Sequence, residues 1–263
     1  MLNMKHKRVW IIFVIFVFLA AVVVVFFLKR PVPRRENGIK QLSFVQGEKL
    51  QGYHVYDSQG AELDISEISD TPTLIVFAMA GCKDCRAEFP SYRILLTLFN
   101  NSKFKVAFVW DNEVPQADLD KLRIPPSASY SAKGLYKFTD WVPSYYFVDE
   151  SDIITAQTKE IGDAVALLPD TSVTPESFQQ LSGGLPLLVG IDGCGACKQA
   201  VEQMDREYGN YLYFLEGKEK VTEDAPKNVL VDPQKLISKA FGLKTYPVSI
   251  RLNEAGTIVV EEK

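Results

Sequence analysis

Residues 81–90 read GCKDCRAEFP, and the meaning of this stretch decides the fold. Cys82 and Cys85 stand three apart around a basic and an acidic residue, with Arg86, Glu88 and Pro90 behind them. Such a pair can be half of a metal clamp, a structural staple, or two thiols that exchange electrons. The other two cysteines of the chain, Cys194 and Cys197, repeat the spacing, and none is spare. Both pairs follow an apolar run of strand character, TLIVFAMAGC and LPLLVGIDGC, and both precede a helical pattern.

Two C-x-x-C knuckles that share a zinc usually stand about 15–20 residues apart. Here 108 residues intervene, and the only histidines are His6 and His54. Haem attachment requires a histidine directly after the second cysteine, where this chain has Arg86 and Lys198. A loop this short constrains an unfolded chain little, which weighs against a purely structural disulfide. The redox reading has a positive physical reason. A cysteine at the first turn of a helix meets unpaired N–H groups and the positive end of the dipole, which favour the reactive thiolate. A second cysteine three residues on shares its face and can resolve a mixed disulfide. Cys82 and Cys194 are thus the expected attacking thiols, and Cys85 and Cys197 the resolving ones. No metal or organic cofactor is expected.

At 263 residues, with 47% hydrophobic and 24% charged side chains, the chain has the composition of one large or two ordinary folded domains. One segment stands apart: residues 9–28, VWIIFVIFVFLAAVVVVFFL, are uninterruptedly apolar. At about 1.5 Å per residue a helix there spans roughly 30 Å, the thickness of a bilayer core. The run ends in LKRPVPRR, without a small-residue cleavage site, so it is expected to remain as a single-pass anchor. Its basic flanks, Lys5, Lys7 and Arg8 before it and Lys29, Arg30, Arg34 and Arg35 after it, barely discriminate orientation and lean slightly against an external C-terminal body. Seven of the 29 basic residues and one of the 33 acidic ones precede residue 37, so the remainder carries a net charge of −10. An acidic, evenly charged body does not favour nucleic acid.

Residues 1–8 read as a short tail and 29–42 as a linker. Tyr53–Tyr56 starts a strand, Asp57–Gly60 turns, and Leu63–Ile68 continues as strand. The run from Thr73 to Met79 predicts a buried strand. A helix from the cysteines to about Phe99 places Phe89, Tyr92, Leu95 and Leu98 on an inner face, and Pro90 kinks it. Lys105–Trp110 is a strand, Ser131–Phe138 includes a short helix, and a proline leads the strand in WVPSYYFVDE. Beyond residue 160 the pattern repeats. Thr174 caps a helix with Pro175 at its first position, LPLLVGI is a strand, and the Cys194 helix ends near Gly209. Tyr211–Leu215 is a strand, a charged loop follows, Gly242 ends a helix in a left-handed turn, and Glu254–Gly256 is a hairpin turn.

This order, with C-x-x-C at a helix start and a proline leading a later strand, resembles the thioredoxin fold. The chain is expected to be α/β, with two tandem thioredoxin-like domains, each a central mixed sheet flanked by helices, over 43–160 and 161–263. In the first, DSQGAELDISEIS followed by CKDCRAEFP resembles the TlpA/ResA-like thioredoxins, membrane-tethered thiol-disulfide proteins of the bacterial cell exterior. The resemblance implies that Pro143 and Pro247 are cis-prolines, and that Val142-Pro143 and Tyr246-Pro247 help bind substrate backbone. It also implies that Glu88 is the acid that tunes the thiols, in place of a buried acid at Val76. Peroxiredoxins, which share the opening hairpin, carry a threonine where Met79 stands. Two departures from thioredoxin are visible: Gly81 and Gly193 replace the tryptophan before the first cysteine, and Ala200 occupies the position of Glu88 in the second half. Asp192 either substitutes for that acid or simply caps.

The resemblance implies an oxidoreductase acting on protein thiols and disulfides outside the cytoplasm, as a reductant supplied by a membrane-borne electron donor. An oxidase or isomerase for exported proteins is the first rival. A redox-inactive adaptor in a membrane complex is the rival of another class.

Overall fold

The computed structural model describes residues 44–263 except 69, 113, 115–118, 121–123, 135–138, 172 and 219–227. The expected tail, anchor and linker lie outside the described residues, as does most of the charged loop after Glu216. Among the described residues no helix is long and apolar enough to cross a membrane. The described residues belong to one compact unit.

The first half opens with a hairpin of β1 (His54–Tyr56) and β2 (Glu62–Asp64). The strand expected through Ile68 stops at Asp64, and Ile65–Ile68 is a 3-10 turn. Asp64 causes the stop: its carboxylate accepts from the Ser66 N–H at 3.0 Å and hydroxyl at 2.7 Å, a local closure that competes with a ladder. Then come β3 (Thr73–Ala78), α1 (Lys83–Ala87), α2 (Phe89–Ile94) and β4 (Lys105–Asp111). The kink expected at Pro90 is a break. Proline lacks the N–H and crowds the carbonyl four residues back, so α1 ends at Ala87, Glu88 caps both segments, and Pro90 sits in the first turn of α2. The last turn, Leu95–Phe99, is a π-helical turn. Tyr92, Leu95 and Leu98 are buried and Phe89 packs against the same core.

The helix expected over 131–138 is corrected in its first residues. Ser129–Ala132 is β5, paired in parallel with β4 from Phe108↔Ser129 to Asp111↔Ala132. Pairing with a strand edge outweighs the weak local preference of SYSA. Then come β6 (Ser144–Val148), β7 (Ile154–Thr158) and α3 (Ile161–Leu167).

The second half runs α4 (Pro175–Ser182), β8 (Leu187–Ile191), α5 (Gly195–Glu207), β9 (Leu212–Glu216), β10 (Val229–Asp232), α6 (Leu236–Phe241), β11 (Val248–Leu252) and β12 (Ile258–Glu262). The caps read from sequence are present. Thr174 accepts from the Ser177 N–H, Ser177 accepts from the Thr174 N–H, and Gly242 ends α6 at φ 66°.

The sheets have the orders β2-β1-β5-β4-β3-β6-β7 and β10-β9-β8-β11-β12. In both, the strand before the cysteines pairs in parallel on one side and antiparallel on the other. The second sheet therefore repeats the β5-β4-β3-β6-β7 portion of the first and lacks only the hairpin. Each repeat is here called a module. All six residues of β3 are buried. Ile75 and Phe77 face a core with Phe44 and Tyr146, while Leu74, Val76 and Ala78 face a larger core shared with Phe178, Phe214 and Ile237 of the second half. Where the second sheet has no hairpin, α2 of the first module lies by β10. Arg93 there donates to the Leu181 carbonyl at 3.0 Å.

Candidate functional site

Each cysteine pair follows the C-terminal end of the central strand of its sheet. Cys82 is the N-cap of α1 and Cys194 the N-cap of α5, one residue earlier than the first-turn placement expected. Sulfur here takes the role usual for a serine or aspartate oxygen. Cys82 Sγ accepts from the Cys85 N–H at 3.1 Å, and Cys194 Sγ from the Cys197 N–H at 3.1 Å. A helix N-terminal N–H aimed at sulfur stabilises negative charge there. The first cysteine of each pair is half-buried and the second is buried. Cys82 and Cys85 are free thiols, and Cys194 and Cys197 are joined as a disulfide. Burial, followed by the contact with Cys82, pushes the Cys85 thiol up to about 12.

The Val142-Pro143 and Tyr246-Pro247 peptide bonds are both cis. The first loop reaches its cysteines: the Cys82 thiol lies 3.8 Å from the Val142 carbonyl oxygen, to which it can donate. A C-x-x-C at a helix N-cap, a cis-proline leading the next antiparallel strand, and the repeated strand order decide the architecture. Each module has the thioredoxin-like fold.

No protein-family model matches the chain, and no curated protein does. Solved structures similar to it include a thiol:disulfide interchange protein from Bacteroides sp., 16% identical, covering 48% of this chain and 92% of that one at a TM-score of 0.39. Another is the thioredoxin domain of a thiol-disulfide oxidoreductase from Bacteroides vulgatus, 17% identical over 48% of this chain and 100% of that one, TM-score 0.38. A third is a thiol:disulfide interchange protein of the thioredoxin family from Chlorobium tepidum, 12% identical over 45% of this chain and 89% of that one, TM-score 0.36.

Within the first thioredoxin-like module, Glu88 is half-buried with Oε2 shielded from solvent, and its N–H closes α1 on the Cys85 carbonyl at 3.2 Å. Its charge and that of Cys85 add to burial, the larger cause, in raising the phenols of Tyr92 and Tyr145 above their ordinary range. Cys85, Glu88, Tyr92 and Tyr145 therefore form one electrostatic neighbourhood. Val76 is fully buried on β3.

The second module is furnished differently. Ala200 is buried on α5. Asp192 does not cap α5, since Cys194 does; it is exposed and pairs with Lys218 at 2.6 Å, which holds its carboxyl below the usual range. Gly190, on β8, is where Cys197 and Tyr213 close in. A methyl group there would lie 2.6 Å from Tyr213 Oη and 3.1 Å from Cys197 Sγ.

Sequence reading missed two buried acids. Glu216 and Asp232 end adjacent parallel strands, directly paired, and are both buried. Glu216 accepts from the Ser238 N–H at 2.8 Å, the Ser238 hydroxyl at 2.7 Å and the Tyr246 hydroxyl. Asp232 accepts from the Ile237 N–H at 2.8 Å. Burial, and then the charge of Glu216, raise Asp232 to about 7. Tyr246, expected at the substrate, is thus held by its hydroxyl to this inner pair, and among the described residues no hydrogen bond joins it to Cys194 or Cys197. The local signal was thin: each acid ends a short strand beside a polar segment and reads as surface. Among the described residues no group of three or more His, Cys, Asp and Glu is arranged to hold a metal ion.

Proposed function

We propose that this protein is a membrane-anchored thiol-disulfide oxidoreductase that reduces disulfides of exported proteins through two C-x-x-C sites. The observation that carries the reading is the placement of Cys82: half-exposed, at a helix N-cap, with the Cys85 N–H on its sulfur and the cis-proline loop beside it. In the reaction the Cys82 thiolate attacks one sulfur of a substrate disulfide, and the other substrate sulfur leaves as thiolate. Cys85 then gives up its proton and attacks Cys82 Sγ. The Cys82–substrate bond breaks, the substrate departs as dithiol, and the protein is left with a Cys82–Cys85 disulfide. The substrate gains two electrons and the cysteine pair loses two, and a dithiol or membrane-borne donor restores them. Glu88 is the acceptor for the Cys85 proton, since a thiol raised by burial requires a base close by. Cys194 and Cys197 run the same exchange in the second module. Val142-Pro143 and Tyr246-Pro247 offer backbone to the substrate. Residues 9–28 tether the modules, and the likeness of CKDCRAEFP to the TlpA/ResA-like group supports an extracytoplasmic position.

The test is trapping with the full-length chain. Cys85→Ser and Cys197→Ser should each accumulate mixed disulfides with exported proteins, and Cys82→Ser or Cys194→Ser should abolish turnover by its own module. Absence of adducts from both trap variants would leave the adaptor reading. The reduction potential of each pair then sets direction. Values near about −270 mV mean a reductant and values near about −120 mV an oxidant.

A further inference from the structure

The second module buries two carboxylates to which the exchange chemistry above assigns no part. Glu216 and Asp232 are paired at the ends of β9 and β10. Taking a carboxylate out of water is costly unless donors surround it. Asp232 Oδ2 accepts from the Ile237 N–H at 2.8 Å, while Oδ1 is buried with no hydrogen-bond partner among the described residues. Glu216 is better supplied, and all of its partners are donors. One oxygen takes the Ser238 N–H at 2.8 Å, and the other takes both the Ser238 hydroxyl at 2.7 Å and the Tyr246 hydroxyl. At the corresponding ends of β4 and β5 stand Asp111 and Ala132, so only the second module pairs two acids there.

The bonds of Glu216 end on α6 and on the residue before cis-Pro247. That proline loop is held at three successive residues. The Thr245 hydroxyl donates to the Glu262 carboxylate at 2.6 Å, and the Pro247 carbonyl accepts from the Lys263 N–H at 3.0 Å. The Tyr246 hydroxyl reaches inward instead, to the buried end of β9. The loop of the first module is tied differently, within itself. Val142 has no hydroxyl, and Thr139 Oγ1 donates to the Trp141 carbonyl at 2.9 Å and contacts Ser144 Oγ at 3.1 Å. The two residues that Glu216 grips, Ser238 and Tyr246, also line an open depression of about 560 Å³ together with Lys235, Lys239 and Lys244. The buried carboxylate thus holds part of the wall of a surface large enough for the residues that flank a disulfide in a polypeptide.

We infer that Glu216 is a positioning residue of the second site: through the Tyr246 hydroxyl it fixes the Tyr246-Pro247 backbone as a surface for polypeptide disulfides, and so favours them over small ones. The inference rests on the redox reading of Cys194 and Cys197 and on the substrate role proposed for Tyr246-Pro247. Glu216 exchanges no atoms or electrons; attack and resolution remain with the two cysteines.

The experiment uses the full-length chain with Cys82→Ser and Cys85→Ser, reduced and freed of reductant. It is mixed with either of two oxidants, a small aryl disulfide or a synthetic peptide with one internal disulfide, and the loss of its free thiols is followed. The quantity read is the ratio of the two rate constants, peptide over aryl. Tyr246→Phe, which keeps the ring, should lower that ratio about tenfold, as expected for loss of a hydrogen bond to a charged group. Glu216→Gln should lower it in the same direction, and the double variant no further than the larger single change, because both act through one contact. The two variants approach that contact from opposite sides, so a folding defect in one leaves the other informative. Ratios equal to the parent's overturn the inference, whether both rate constants are unchanged or both fall alike, the latter marking lost packing. Additive effects overturn it as well. A parent that reacts with neither disulfide overturns the redox reading of the second site, and the inference with it.

Discussion

The two modules share a backbone and differ in what surrounds the sulfur. In both, the first cysteine caps a helix and accepts the N–H of the second at 3.1 Å. In the first, Glu88, Tyr92 and Tyr145 share an electrostatic neighbourhood with the buried cysteine, and Ala78 occupies the strand position four residues before Cys82. In the second, that strand position is Gly190, Tyr213 and Cys197 fill the space above it, and Ala200 replaces the acid. The buried acids of the second module, Glu216 and Asp232, instead hold α6 and Tyr246. The N–H on the first sulfur comes from the helix start, which the two modules share. The side chains around the second cysteine have diverged.

Three substitutions sharpen or break the comparison. The largest effect is expected of Gly190→Ala. The added methyl would meet Tyr213 at a distance that real contacts do not reach and would crowd Cys197 Sγ at 3.1 Å, and overpacking of this kind costs about 1–3 kcal/mol. A fall in denaturation midpoint that Tyr213→Phe partly restores would confirm the close approach; a neutral Gly190→Ala would erase this distinction from Ala78.

Asp232→Asn is next. The folded-state pKa of Asp232 lies near 7, above its unfolded value. The folded protein then binds the extra proton, and stability falls as pH rises from about 4 to about 7. Asparagine can still accept from the Ile237 N–H but carries no charge. The variant should lose that part of the pH dependence and exceed the parent by on the order of 2 kcal/mol above pH 7. Urea midpoints at pH 5 and pH 8 measure it, and parallel profiles would remove Asp232 from the titrating groups.

The smallest effect belongs to Asp192→Asn. The pair with Lys218 is exposed, and exposed pairs contribute little. Midpoint and Cys194 reactivity should both stay within measurement scatter. Altered reactivity would give Asp192 the part proposed for Glu88 in the first module.

Much of the site was legible because its signals are local. Four cysteines in two equal spacings, each after an apolar run, marked both helix starts. Pro143 and Pro247 were placed by element order, and both are cis. Thr174, Pro175 and Gly242 were readable as caps because capping depends on residues within one turn. What was not legible depends on distant partners. Tyr92 and Tyr145 are 53 residues apart, and nothing near either names the other. Ser129–Ala132 has little strand character of its own and is a strand because β4 offers an edge. The strand over 63–68 was overestimated because the apolar residues outweighed a side-chain turn at Asp64.

By itself, then, the sequence determined the α/β repeat, the two cysteine pairs and the apolar segment at 9–28 through patterns of a few residues whose geometry the backbone dictates, and the cis-proline loops through the resemblance of its element order to the thioredoxin fold. Only the tertiary structure decided which side chains share a dry environment: Tyr92 with Tyr145, the acids near Tyr246, and Gly190 against Cys197. Burial sets the strength of charge and the cost of a methyl group, and burial is a property of chain segments brought together from far apart.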